Sequence, residues 1–155
     1  MTTLDQATLT SDMVNILERM AFVLGEAAEE PRLDPSDYRE HVRIEMASVN
    51  DKFLVHLSGD SGFLSEVASS MLGVLPEEVH PGEQGRQALL ELGNVVGGAV
   101  VRRLGGETIE FDLGLPASIE ETLLVKMEKK LGEPVALGCL ESEDGYLRVA
   151  VFPVN

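Results

Sequence analysis

Gln87-Ala-Leu-Leu-Glu91-Leu-Gly-Asn94-Val-Val-Gly-Gly98-Ala-Val-Val-Arg102 is the most informative stretch of the chain. Leu89, Leu92, Val96, Ala99 and Val100 recur at helical spacing and form an apolar side. Each residue of an α-helix advances about 100°, so Glu91 and Asn94 project about 60° apart on the opposite side. Gln87, Gly98 and Arg102 extend that polar stripe in both directions. By spacing alone this is the wet side of an amphipathic helix. Two features make it less ordinary. Gly93, Gly97 and Gly98 stand inside the helix, where each costs roughly 1 kcal/mol relative to Ala. Either another helix packs closely on the Gly93/Gly97 ridge, or the backbone of a partner approaches the helix there. Asn94 is a poor helix former in mid-helix, and its amide can both donate and accept, which suits orienting a water molecule.

Working outward, the spacing predicts this helix over residues 84–104, stopped by Gly105-Gly106 with Arg102 and Arg103 at the negative end of its dipole. Residues 107–113 alternate with Ile109, Phe111 and Leu113 on one face, the pattern of a strand. Ser118 and Glu121 have capping-box spacing, and Ile119, Leu123, Met127 and Leu131 follow as a helix over 118–131. Closing strands are predicted at 135–141 and 146–154 around a Glu143-Asp144-Gly145 turn. Upstream, Ser11 or Asp12 opens a helix over 11–29 carrying Val14, Leu17, Ala21 and Leu24. A loop at Pro31, Asp34 and Pro35 follows, then strands at 41–49 and 52–58, turning at Asn50-Asp51. A helix over 61–72 stops at Gly73, and residues 75–85 read as loop. Helices interleaved with strand hairpins give an α+β class, helices packed on a mostly antiparallel sheet, as one domain over 1–155.

The formal net charge of −15 opposes phosphate backbones and anionic lipid, so neither nucleic acid nor a membrane surface is an expected partner. No apolar run approaches the ~20 residues of a membrane span. The first residues lack the basic start and apolar stretch of a secretion signal, and Cys139 is the single cysteine, so a reducing cytoplasm is expected. Between Leu137 and Leu140, Cys139 reads as a buried structural thiol. His41, His56 and His80 lack zinc-site spacing. The acidic pairs Glu29-Glu30, Asp34/Asp37 and Glu77-Glu78 lack calcium-loop spacing and read as solvated surface.

Glu91-Leu-Gly-Asn94, followed by Val-Val-Gly-Gly98, Leu104 and Phe111-Asp-Leu-Gly-Leu-Pro116, resembles the CheC/CheX/FliY phosphatases of bacterial chemotaxis. Their mark is a Glu-x-x-Asn helix, often with Ser or Asp four positions before the Glu. The resemblance implies the CheC-like fold and hydrolysis of the aspartyl phosphate of a CheY-like response regulator. Asn94 would orient the attacking water and Glu91 would pair with a lysine of the regulator, while Gln87 and Gly98 would contact it. No cofactor of its own is implied, because Mg2+ resides on the regulator. An acyl phosphate is already activated, so an amide that positions water supplies the missing part. Gln87 departs from the Ser or Asp of the family. The first helix has Glu18-Arg-Met-Ala21, with Ala where a second active Asn would stand, which favours the single-site, homodimeric CheX type. A non-catalytic module that binds a receiver domain without dephosphorylating it is the alternative.

Overall fold

The computed structural model of the chain describes residues 4–30 and 36–155. The loop expected at Pro31, Asp34 and Pro35 lies outside them. Helix α1 spans Gln6–Ala21, five residues ahead of the expected start. Its cap is Asp5: Thr8 N donates to Asp5 Oδ1 at 2.8 Å, and Asp5 N donates back to Thr8 Oγ1 at 3.0 Å. This reciprocal pair is a capping box with Thr in the usual place of Glu, which hid it from the sequence. The helix also ends eight residues early. Phe22 adopts the left-handed conformation (φ 51°), and Val23 N donates to Leu17 O at 3.2 Å. That closure normally falls on glycine. The apolar run through Ala21-Phe22-Val23-Leu24 therefore mimics a continuing helix. Beyond it, Glu26–Ala27 form strand β1, not helix.

β2 (Arg39–Ala47) and β3 (Lys52–Asp60) pair antiparallel from Arg39↔Asp60 to Ala47↔Lys52. Helix α2 (Ser61–Leu72) is capped by Asp60, and Gly73 stops it with φ 70°. Helix α3 (Arg86–Gly105) follows a 3-10 turn at Pro76–Glu78 and a π-turn at Pro81–Gly85. Strands β4 (Asp112–Leu113) and β5 (Ala117–Ser118) both pair with β2, helix α4 covers Glu121–Leu131, and β6 (Ala136–Glu141) and β7 (Tyr146–Val154) close the chain. The sheet runs β1-β6-β7-β3-β2-β4, antiparallel at every junction, with β5 also on β2. The α+β architecture of helices on an antiparallel sheet is thus what the sequence patterns implied.

Strand alternation divides the sheet into two unlike faces. Val42, Ile44, Met46, Val55, Leu57, Leu147, Val149 and Val151 form one core with α1, α2 and α3. The other face carries His41, Arg43, His56, Ser58, Arg148 and Phe152, and α4 lies over part of it.

Two expectations for the second half need correction. Only Asp112–Leu113 of the predicted 107–113 strand pairs; Glu107 and Thr108 turn, with Ile109 N donating to Gly105 O at 3.1 Å. The reversal after α3 uses up those residues, and Ile109 and Leu113 stay exposed. Phe111 packs on Phe53 with ring centroids 5.9 Å apart. Likewise Ser118 does not cap α4. It sits opposite Val42 in β5, and the helix begins after Glu120 with no side-chain cap. Within α4 the buried side chain is Leu124, while Leu123 is 51% exposed.

Candidate functional site

Both ends of α3 are tied down by arginines. Arg86 Nε donates to Glu40 Oε1 of β2, whose other oxygen accepts from Tyr38 OH. At the far end the Arg103 guanidinium forks onto Asp12 of α1, Nε to Oδ2 and Nη2 to Oδ1, each at 2.9 Å. Between these anchors Ala88, Leu89, Leu92, Val96 and Val100 are buried against the core. The helix is held as a rigid platform, and its opposite side faces solvent.

On that side Gln87, Glu91 and Asn94 are exposed and Gly98 is partly so, in the stripe predicted from spacing. None of the three side chains has a hydrogen-bond or ion-pair partner among the described residues. A carboxylate and an amide about 60° apart on a fixed helix are therefore uncommitted. Val95, 38% exposed, is beside them.

The glycines divide into two kinds. A Cβ at Gly93 would stand 3.3 Å from Pro116 and from Val42, and one at Gly97 would stand 3.1 Å from Leu113. These two bring α3 down onto β2 and the 113–116 segment, so the ridge packs on a sheet edge, neither on another helix nor on a partner. Gly98 is different. A Cβ there would meet only Arg102, with Nη1 at 3.6 Å. Its missing side chain thins the outer surface of the helix. At the corresponding place on α1, Glu18 is exposed but Ala21 is buried at the helix end, so no residue at position 21 could present an amide outward.

A polar cluster that sequence reasoning missed lies on the far face of the sheet. His56, wholly buried, bonds through Nδ1 to Glu128 Oε2 at 2.8 Å, and Arg148 donates to both oxygens of the same carboxylate. Burial raises the Glu128 pKa, but the hydrogen bonds from His56 and Arg148 outweigh it and hold the group at about 2. His41 Nδ1 contacts Ser58 Oγ at 2.6 Å, and its Nε2 contacts Glu121 Oε1 at 3.1 Å. Arg39 Nε donates to the same Glu121 oxygen at 2.6 Å. Burial depresses the His41 pKa against the pull of Glu121. Ser58, His41 and Glu121 form a relay like that of a serine hydrolase, but the hydroxyl is shut in beneath α4, 4% exposed. Its role is to clamp α4. Glu121 is 63 or more positions from the other two residues of the relay, whereas His41 and Ser58 are a cross-strand pair, 17 positions apart, which a register prediction could have found. Cys139 is buried, and burial, aided by the Glu30 carboxylate, pushes its thiol up to about 11. Among the described residues no three His, Cys, Asp or Glu side chains are grouped to hold a metal ion, and no helix is long and apolar enough to cross a membrane.

No family model matches the sequence, and no curated protein matches it. Solved structures do. The chemotaxis protein CheX from Vibrio vulnificus superposes with a TM-score of 0.71 at 17% identity, covering 94% of this chain and 93% of that one. The CheX–CheY–BeF3–Mg+2 complex from Borrelia burgdorferi matches with a TM-score of 0.71 at 19% identity, covering 97% and 99%. A CheC-like superfamily protein from Shewanella sp. PV-4 matches at 0.67 and 17% identity, covering 95% of each chain. The class of structure is therefore the CheC-like fold, and it extends over nearly the whole chain. Within that class the neighbours include CheX and CheC-like chemotaxis proteins.

Proposed function

We propose that this chain binds a CheY-like receiver domain and hydrolyses its aspartyl phosphate. The observation that carries this reading is the pair Glu91 and Asn94, exposed, unpartnered and adjacent on a rigid helix of the CheC-like fold. In this reading Asn94 enters the partner's site and orients the attacking water, using its amide as both donor and acceptor. Glu91, one helical step away, pairs with a cation of the receiver and aligns the two proteins. Gln87 and Gly98 flank them, one as a polar contact and the other as the thin place where a partner backbone can approach. The metal ion of the reaction is Mg2+ on the receiver; this chain contributes positioning and no ligand. The CheX–CheY–BeF3–Mg+2 neighbour supports a receiver as partner. In this reading the protein is also cytoplasmic and a CheX-type homodimer with one site per chain, as the sequence resemblance and the single cysteine led us to expect.

The test is direct. Phosphorylated receiver and magnesium are mixed with the protein, and loss of phosphate is followed. Equal rates with wild type and Asn94→Ala across a panel of CheY-like receivers would end the proposal. Gln87 supports a second reading, a module that captures a receiver without turning it over. Capture of a receiver whose phosphate lifetime is unchanged would favour it.

A further inference from the structure

Arg19 of α1 and Arg102 of α3 line one groove between these helices, and among the described residues neither makes an ion pair or a hydrogen bond. The groove encloses about 370 Å³ and is lined also by Asp12, Asn15, Ala99 and Arg103. Among the described residues Asp12 is the single carboxylate lining it, and it is occupied by the Arg103 fork. The groove thus gathers three of the chain's 12 Lys and Arg residues on a protein with 27 acidic ones. Both free arginines are exposed. Unpaired cations concentrated at one place on so acidic a surface form a local field of opposite sign to the whole molecule.

The groove also adjoins the proposed site. Arg102 follows Gly98 by one turn on the Glu91/Asn94 stripe, and its Nη1 lies over Gly98, 3.6 Å from where a Cβ would stand. We infer that this groove is an electrostatic dock for surface carboxylates of the receiver next to its phosphorylated aspartate, with Arg102 and Arg19 as its anchors. The inference rests on the receiver-phosphatase reading above. A partner carrying an aspartyl phosphate is anionic at the place where it must meet this helix, and repulsion between that anionic site and this acidic chain would slow the encounter. Two uncommitted guanidiniums beside the site reverse that repulsion locally and fix the orientation of approach. Carboxylates are the match, rather than the phosphoryl group itself. The Arg102 guanidinium lies over Gly98, one turn or ~6 Å along the helix axis from Asn94, which sets it beside the phosphorus centre that Asn94 would address.

The experiment measures the affinity and association rate of wild type, Arg19→Ala/Arg102→Ala and Arg102→Lys for a CheY-like receiver. The receiver is used with magnesium and beryllofluoride and also without beryllofluoride, at low and high salt. The double variant should weaken binding about tenfold at low salt, mostly through a slower association rate, and by less than about threefold near 0.5 M salt. Arg102→Lys should keep most of the affinity, and a thermal melt of the double variant matching wild type excludes a folding defect. The loss should be equal with and without beryllofluoride. A loss confined to the beryllofluoride form would overturn the carboxylate assignment in favour of a phosphoryl contact. A double variant that binds as wild type does overturns the dock while leaving the phosphatase reading intact. A wild type that engages no receiver overturns both.

Discussion

Arg148 of β7 and Glu128 of α4 meet in a two-bond fork, Nη1 to Oε2 at 3.0 Å and Nη2 to Oε1 at 2.7 Å. His56 adds a third bond to the same carboxylate. With Leu124 as the buried apolar side chain of α4, the helix is held to the sheet chiefly by charges. Glu128→Gln should therefore cost about 2 kcal/mol, less than the ~3–5 kcal/mol of a fully buried broken pair because the carboxylate is partly solvated. Urea denaturation measures it. A change below about 0.5 kcal/mol would mean that α4 is held by something else.

The same clamp sets a pH dependence. Glu128 has a folded pKa of about 2 against 4.5 for the free group, so its contribution is present above 4.5 and is lost as pH falls from there towards 2. His41 is depressed below 6.5 by burial, so the unfolded chain takes up its proton first and stability falls as pH drops through 6.5. Both shifts act in one direction. Stability should be level between about pH 7 and 8, where neither group is protonated and Cys139 keeps its proton folded or unfolded, and decline in two steps below that window. His41→Asn should remove the upper step and leave the lower one, as thermal melts across pH would show.

Much of the platform was legible in the sequence, because α3 and the long strands follow their apolar periods without interruption. The polar stripe Gln87, Glu91, Asn94 and Gly98 faces solvent as its spacing required. What was hidden depended on contacts between distant segments. Phe22 takes a conformation that usually signals itself by glycine, so the end of α1 left no mark. Ser118 had cap spacing, but pairing with Val42 claimed it for the sheet. The Gly93/Gly97 ridge was visible as an anomaly, yet its partner, the Leu113–Pro116 edge, could not be named before the fold placed it there. The α4 clamp left no periodic trace, since groups from four elements, β2, β3, β7 and α4 itself, build it.

The two kinds of glycine should respond oppositely to a methyl group. Gly97→Ala would press on Leu113 at 3.1 Å and should destabilise by about 1–2 kcal/mol. Gly98→Ala meets only a flexible guanidinium and should stabilise by up to ~1 kcal/mol through helix propensity. Receiver binding should nonetheless weaken in the Gly98 variant, because the thin surface is gone. Gain in melting temperature together with unaltered receiver affinity would remove Gly98 from the docking surface.

Asn94 carries the sharpest prediction, since its cost to the fold and its use in the reaction have opposite signs. Ala is a better helix former than Asn by about 0.5 kcal/mol, and among the described residues the Asn94 side chain makes no bond that its loss could offset. Asn94→Ala should therefore fold slightly more stably than wild type. Phosphate release from the receiver at saturating concentration should fall on the order of 100-fold, with affinity little changed, because in the proposed reaction the amide acts on the water and not on docking. Glu91→Ala should show the reverse split, an increase in KM with a smaller change in kcat. Single-turnover dephosphorylation against receiver concentration separates the two. If Asn94→Ala lowered stability, the residue would be structural. If it altered KM alone, Asn94 and Glu91 would share one docking role, and the water would have to be oriented from the receiver's side.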